Sequence, residues 1–386
     1  MSDNNQIGVI KKYNYLRFLQ SASRKVIDGS YPHQIFIEVS SACNYRCKYC
    51  VRSSGNIDSM LMDVELYDKI IKEMHDKAQF IHYYLQGEPL INKNICEMIE
   101  ISNEYAVDDT LATNTSLLTK DVSKKFLKGG LEQIIFSVTG ATKDIYEDLH
   151  PGGEFRRVLE NMLDFFFAEI EADIIIRTRS IFVKDRIALP TLDRYEKMFS
   201  LLPIDKVSTS ELINWFGHND TYENMPNTRE GWKKLPTCTA PWRMMGISAN
   251  GDVRACFIDT SGDSIIGNVR DDSVMGIWNG EKMQEFRRSL IERDLNSGTP
   301  FSKLCSNCNS MLRSDCLMKG NGWPYDLDKE VKTYFASNED YYGYRRDVNS
   351  IKAKMNFVMK HGARWVEQMV NPMMTDDEFV EKYAKS

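Results

Sequence analysis

Cys43, Cys47 and Cys50 form a C-x3-C-x2-C run directly after a strand-like segment, Ile35 to Ser40. Thiolates at this spacing can close on three corners of one iron-sulfur cubane, leaving the fourth corner without a protein ligand. A structural cluster takes four thiolates, so a three-thiolate site presents an open iron, much as a catalytic zinc keeps an open position. A zinc knuckle short of one ligand is the plainer alternative. Further along, Cys238, Cys256, Cys305 and Cys308 supply four thiols, enough to close a cubane completely; structural zinc would accept the same set. Two cysteines remain. Cys96, among Ile95, Met98 and Ile99, reads as a small buried hydrophobe. Cys316 is either spare or a thiol able to hand a hydrogen atom to a substrate radical.

The composition narrows the setting. A chain of 386 residues exceeds the usual single domain, which predicts one large domain and a smaller one. Its 42% hydrophobic content suffices for a core, and no apolar run reaches membrane-spanning length. The N-terminal stretch lacks an apolar signal-peptide core, so a cytoplasmic location without membrane attachment is expected. Nine cysteines in such a chain point to metal ligation rather than disulfides. A net charge of −6 without a long basic run gives no pull towards nucleic acid. The six histidines are spread singly and form no Ser/His/Asp grouping.

The elements that must carry these cysteines alternate strand with helix. Residues 1–33 read as a lead-in with one helix. Strands are expected at 35–40, 80–85, 110–113, 133–138, 173–183 and 206–212, with helices after Asp63, from Thr119 to Gly129-Gly130, through 158–167 and near 192–202. Such alternation implies a parallel sheet with right-handed crossovers. In a parallel α/β barrel, active-site loops gather at the C-terminal ends of the strands, where the first cysteine loop falls. Residues 34–214 form this unit and 215–237 a connector. The cysteine-bearing segment 238–318 carries turns at Asn250-Gly251-Asp252 and Ser261-Gly262-Asp263 and a helix over 281–293; residues 319–386 form a polar, aromatic and mostly helical extension.

The cysteine spacing resembles the radical S-adenosylmethionine (SAM) superfamily, in which the methionyl amine and carboxylate chelate the open iron. Six strand-helix units then imply an α/β fold with a partial (β/α)6 TIM-like barrel. Tyr49 stands where that family usually places an aromatic residue beside the adenine. Gln86-Gly87-Glu88-Pro89 resembles the family's Gly-Gly-Glu-Pro element, which hydrogen-bonds the SAM amino group; here Gln86 replaces a glycine, while Glu88 keeps a carboxylate for an ammonium. Ser137 to Gly140, followed by Ala-Thr-Lys-Asp-Ile-Tyr, is similar to a segment of the family's fourth strand. Ser137 is thus a candidate for the SAM carboxylate or ribose, and Thr139 replaces the usual aspartate. Arg177 and Arg179 share one face of the fifth strand and are candidates for the SAM carboxylate or a substrate oxygen, with a rim salt bridge as the alternative. Asn114, ending the third strand, is a candidate of the same kind. Cys238, Cys256, Cys305 and Cys308, with Gly251-Asp-Val-Arg-Ala-Cys256, Ile266-Gly-Asn-Val, Ile277-Trp-Asn-Gly and Arg287, resemble the SPASM and twitch auxiliary-cluster domains. A lone Cys316 afterwards favours the single-cluster twitch arrangement.

The resemblance implies two 4Fe-4S clusters, SAM, and an electron donor such as flavodoxin or ferredoxin. The expected reaction is hydrogen abstraction from a small carbohydrate-like substrate, ending in dehydrogenation, or in epimerisation if Cys316 returns a hydrogen atom. One auxiliary cluster, and a lead-in shorter than a leader-binding domain, favour the small substrate. A peptide maturase is the alternative, with Tyr341, Tyr342, Tyr344 and Trp365 as its docking surface. A non-catalytic metal-binding protein is a third reading.

Overall fold

The structure is a computed structural model that describes residues 31–53, 58–78, 80–168, 174–182, 191–212, 238, 240–260, 262–292, 304–305, 308 and 348–384. The expected lead-in helix, the connector, Cys316, Tyr341, Tyr342 and Tyr344 lie outside the described residues. The chain divides into two compact units. One contains Met1–Ile37, Glu65–Ile81 and Ile213–Arg345; the other contains Glu38–Val64, His82–Leu212 and Arg346–Ser386.

In the larger unit, β3 (Asp108–Thr113), β4 (Gln133–Ser137), β5 (Ile175–Phe182) and β6 (Lys206–Glu211) run parallel. Thr110 pairs with Gln133, Ser137 with Arg179 and Arg177 with Lys206. Ile134, Ile135 and Phe136 of β4 are all buried, as befits a parallel strand covered on both faces. The covering helices are α2 (Ile95–Glu104), α3 (Lys120–Gly129), α4 (Lys143–Leu149), α5 (Phe155–Ala168) and α6 (Leu192–Phe199). Their limits follow from local chemistry. Thr119 caps α3 by accepting from the Val122 amide, and Gly130, in the left-handed region at φ 85°, ends it. The short α4 was not expected from the sequence. β2 (Phe80–His82) is shorter than the expected strand; just past it, Tyr83 N still donates to Thr110 O at 2.9 Å, and the Tyr83 hydroxyl lies 2.8 and 2.7 Å from Ser102 Oγ and Asp109 Oδ2.

Of the expected extension over 319–386, the described residues 348–384 are mostly helical, forming α9 (Val348–Val370) and α10 (Asp376–Tyr383). One expectation for it fails. Trp365 is fully buried, edge-on to Phe199 at 5.5 Å, with Nε1 donating to the Met198 carbonyl at 3.0 Å, so it docks this helix to α6 and offers no surface to a peptide. An indole in an apolar seat with its N–H satisfied is a stable arrangement. Arg194 completes the join, bonding Ala141 O at 3.0 Å, Gln368 O at 2.8 Å and the Asp376 carboxylate.

The other unit pairs β1 (Gln34–Ile37) parallel with β7 (Met244–Ile247), then β8 (Asp252–Arg254) and β9 (Ile265–Asn268) antiparallel. Gly267 makes room for this packing, since a Cβ would stand 2.9 Å from Ile277 Cγ1. Ile277 and Trp278 belong to α7 (Val274–Asn279), which α8 (Glu281–Glu292) follows. Glu73 of α1 (Val64–Met74) accepts from the Val274 and Met275 amides at 2.9 and 2.8 Å, supplying negative charge to the start of α7.

Candidate active site

The loop of Cys43, Cys47 and Cys50 is fixed by hydrogen bonds rather than by regular structure. Cys50 N donates to Cys47 O at 3.0 Å and Ser53 N to Cys50 O at 2.9 Å, winding the loop into the turn Val51–Ser53. The amides of Arg46 and Lys48 donate to Pro151 O and Leu149 O at 3.3 and 3.0 Å, which ties the loop to the end of α4. All three thiols are partly exposed and none is in a disulfide.

Burial pushes each thiol up, and the neighbouring thiols push further: Cys47 is raised by Cys50 and Cys43, and Cys43 by Glu88 and Cys50. The three sulfurs therefore lie within electrostatic reach of one another. Such a set favours a bound cationic group that converts thiols to thiolates, so the donors fit an iron-sulfur cluster. Among the described residues, no three Cys, His, Asp or Glu side chains close on a single metal ion.

Gly87 and Glu88 lie against this loop. Gly87 has φ 72°, and a Cβ there would stand 2.2 Å from Ser40 O and 2.7 Å from Ala42 O; only glycine allows the approach. The next amide, Glu88 N, donates to Ala42 O at 2.7 Å. The Glu88 carboxylate is buried and holds three donors: Thr113 Oγ1 at 2.7 Å, Asn114 N at 2.8 Å and Leu90 N at 3.2 Å. It thus braces the end of β3 to the turn Pro89–Ile91, and retains acceptor capacity beyond these bonds. Burial raises its pKa to about 7 against the pull of these donors. Gln86 and Pro89 are also buried.

Asn114 binds the cysteine loop directly: its Nδ2 donates to Asn44 Oδ1 at 2.9 Å, while Asn44 Nδ2 donates to Ser116 Oγ at 2.8 Å. Thr115, between them, has φ 69°, an unfavourable conformation for a β-branched residue. It is held there by Thr113 Oγ1, which accepts its amide at 2.9 Å, and by Asn161 Nδ2, which donates to its carbonyl at 2.8 Å. Backbone strain maintained by specific bonds is common at functional sites.

Tyr49 is anchored by its hydroxyl, which lies 3.2 Å from Thr139 Oγ1 and 2.7 Å from His150 Nε2. Only a donor can face a carbonyl, so the 2.7 Å contact of His150 Nδ1 with Tyr146 O places the imidazole proton on Nδ1. Nε2 is then the acceptor, and burial lowers the pKa of His150 to about 4. Thr139, standing where a charged residue was the comparison, instead supplies neutral bonds to Tyr49 and to the Ile181 amide at 3.3 Å.

Ser137 ends β4 opposite Arg179. Thr178 contacts the Tyr195 hydroxyl of α6, so strand alternation turns Arg177 and Arg179 to the face opposite the helix. Both arginine charges lower the pKa of the buried His82 to about 3, after burial itself. His82 therefore joins this basic group, which the single-histidine pattern of the sequence gave no means to find. His150 and Asn44 were likewise missed. Only Thr142 before α4, with Asp144 in its first turn, hinted at the helix that positions His150.

In the other unit, Cys256 lies in the turn after β8, with Cys305 and Cys308 buried. Burial pushes Cys256 far up, and Cys238, Cys308 and Cys305 add to it, so these four thiols also form one neighbourhood. Cys308 N donates to Cys305 O at 3.2 Å. The turn holding Cys256 is built on Asp259, which accepts from Gly262 N, Ser264 N and Ser264 Oγ at 3.1, 2.8 and 2.6 Å. Arg287 is buried over Trp278 at 4.4 Å, and its Nε donates to Pro241 O at 3.1 Å.

Residues 37–176 match the family model described as radical SAM superfamily, and residues 238–309 match SPASM, an iron-sulfur cluster-binding domain. The chain is 23% identical over 282 residues to the S-adenosyl-L-methionine-dependent 2-deoxy-scyllo-inosamine dehydrogenase of Niallia circulans, covering 72% of this chain and 92% of that one. It is 25% identical over 154 residues to the mycofactocin maturase MftC of Mycobacterium tuberculosis, covering 39% of each. In fold it resembles Streptococcus suis SuiB bound to precursor peptide SuiA, at a TM-score of 0.54 and 15% identity over 72% of this chain and 70% of that one. Among the described residues no helix is long and apolar enough to cross a membrane. Residues 37–176 are thus a radical SAM domain and residues 238–309 a SPASM-type domain, and together they make this a radical SAM enzyme whose domains imply a SAM-binding 4Fe-4S cluster, an auxiliary iron-sulfur cluster and SAM.

Proposed function

We propose that this enzyme dehydrogenates a small carbohydrate-like substrate, an aminocyclitol or a sugar. The similarity to the inosamine dehydrogenase carries this reading, because it extends over 72% of this chain and 92% of that relative. Cys43, Cys47 and Cys50 would hold the SAM-binding cluster, and Cys238, Cys256, Cys305 and Cys308 the auxiliary one. When bound and reduced, the first cluster and SAM supply a 5′-deoxyadenosyl radical, the hard chemistry of the cofactor.

The protein's part is placement and shielding. Glu88, poised near neutrality and braced against Asn114, would receive the SAM ammonium; Gln86, Gly87 and Pro89 shape the turn that presents it. Tyr49, fixed through Thr139 and His150, would flank the adenine. Ser137 and Asn114 would take SAM oxygens, and Arg177 and Arg179 the SAM carboxylate or substrate hydroxyls. Holding a substrate C–H in one orientation removes much of the entropic barrier to its transfer. Four auxiliary thiolates leave no open iron, a design suited to accepting the electron that a substrate radical must lose. A flavodoxin or ferredoxin would feed the SAM-binding cluster.

Anaerobic reconstitution with dithionite, SAM and deuterated aminocyclitols tests the reading. Label entering 5′-deoxyadenosine, with a ketone product, supports it. Label arriving only from peptides moves the enzyme to the maturases, whose similarity covers a smaller share of the chain. An epimer as product, lost in Cys316→Ala, makes it an epimerase with Cys316 as hydrogen donor. Zinc in both sites without SAM cleavage leaves a metal-binding protein.

A further inference from the structure

Arg52, two residues beyond the third cysteine, is 8% exposed. Its Nη2 donates to Ser59 Oγ at 3.3 Å. Nε and Nη1 are buried without a hydrogen-bond partner among the described residues. A guanidinium stripped of water on two of its N–H edges is costly unless something anionic meets them, and among the described residues no carboxylate forms an ion pair with it. Its surroundings are those of the cysteine loop. Ser53 N donates to Cys50 O at 2.9 Å, so Arg52 is held in the turn Val51–Ser53 that follows directly from the third cysteine.

We propose that Arg52 is a positioning and charge-setting residue for the SAM-binding cluster, its free Nε–H and Nη1–H directed to the sulfurs of the cluster that Cys43, Cys47 and Cys50 hold. This rests on the assignment of those cysteines as ligands. Net charge and hydrogen bonds to sulfur are the levers by which a protein sets an iron-sulfur potential. The oxidised cluster accepts one electron from an external low-potential donor and gains one negative charge, which a fixed guanidinium stabilises. Arg52 therefore raises the reduction potential and eases the first electron transfer.

The test is a dithionite-poised redox titration of the reconstituted full-length enzyme, following by electron paramagnetic resonance the reduced signal that SAM perturbs. In Arg52→Gln the ratio of reduced to oxidised cluster at a fixed poise should fall about tenfold, equivalent to about 59 mV for one electron. Arg52→Lys, which keeps the charge, should stay within about threefold of wild type. SAM affinity, measured by equilibrium dialysis, should change less than the potential in both. An unchanged midpoint in Arg52→Gln overturns the proposal, as does a SAM affinity that collapses while the midpoint stays put, which would assign the guanidinium to the SAM carboxylate. Should Arg52→Gln fail to retain its irons, Arg52→Lys decides: a tenfold fall there refutes a charge role, and wild-type behaviour supports it. Failure of the underlying ligand assignment looks different, because wild type and Cys43→Ala would then carry the same iron and the same signal.

Discussion

The two cysteine groups of this enzyme are built in opposite ways. The first places three thiols within eight residues on a loop that stays partly open, and takes its remaining supports from the ends of later strands: Glu88, Asn114 and Thr139. The second gathers four thiols from 71 residues of chain, two of them buried, onto a framework of turns braced by Asp259 and Arg287. The first group is locally encoded and externally supported; the second is dispersed in sequence and braced by its own unit.

The largest test of this contrast is ligand removal. Cys43→Ala should lose about four irons per chain and all SAM cleavage. Cys256→Ala should lose a similar amount of iron while still forming 5′-deoxyadenosine without oxidised substrate. Iron assay and chromatography of the nucleoside products decide, and loss of SAM cleavage in both variants would erase the distinction.

Next come the two glycines that pack against each framework. Gly87→Ala meets backbone atoms at 2.2 and 2.7 Å and needs a left-handed conformation, so it should cost roughly 3 kcal/mol or more. Gly267→Ala meets only the Ile277 side chain, at 2.9 Å, which can shift; about 1–2 kcal/mol is expected for such overpacking. Denaturant unfolding of the apoproteins should keep this order.

Glu88 gives a pH signature. Its folded pKa of about 7 lies above the ordinary 4.5, so the folded protein holds the proton that the unfolded chain releases across that interval. Its contribution is fully present below pH ~4.5 and is lost as pH rises through 7, by about 3 kcal/mol. Plotting wild-type stability minus that of Glu88→Gln should show this downward slope; a flat difference would mean the carboxylate is already ionised. Asp109, raised to about 7 by burial and bonded to Tyr83 and the Glu132 amide, should give a comparable slope against Asp109→Asn, remote from the SAM chemistry, and so should leave the rate of SAM cleavage unchanged.

The smallest effect is expected at Tyr49. Removing its hydroxyl in Tyr49→Phe should cost about 1 kcal/mol, the net worth of an ordinary hydrogen bond, with a modest loss of SAM affinity because the ring remains.

Much of the frame was legible in the residues. The parallel strands appear near their expected places because buried β-branched runs such as Ile134 and Ile135 leave few alternatives, and the cysteine spacings marked out the two groups of thiols that the fold gathers. What the sequence did not reveal depends on three-dimensional pairing. Nothing local links Asn44 to Asn114 and Ser116, or Tyr49 to His150. His82 joins Arg177 and Arg179 only through folding. Trp365 illustrates the opposite error: an aromatic residue in a polar tail suggested a recognition surface, whereas burial against Phe199 makes it a core residue.

The proton on His150 Nδ1 has a practical consequence. Held against the Tyr146 carbonyl in a buried ring, it should exchange slowly with water and give a resonance well separated from the amide envelope in a selectively 15N-histidine-labelled sample. Because His150 touches the cysteine loop through Tyr49, that one line can serve as a label-free readout of whether the loop is already folded before iron arrives or is assembled by it, an observation that requires neither substrate nor turnover.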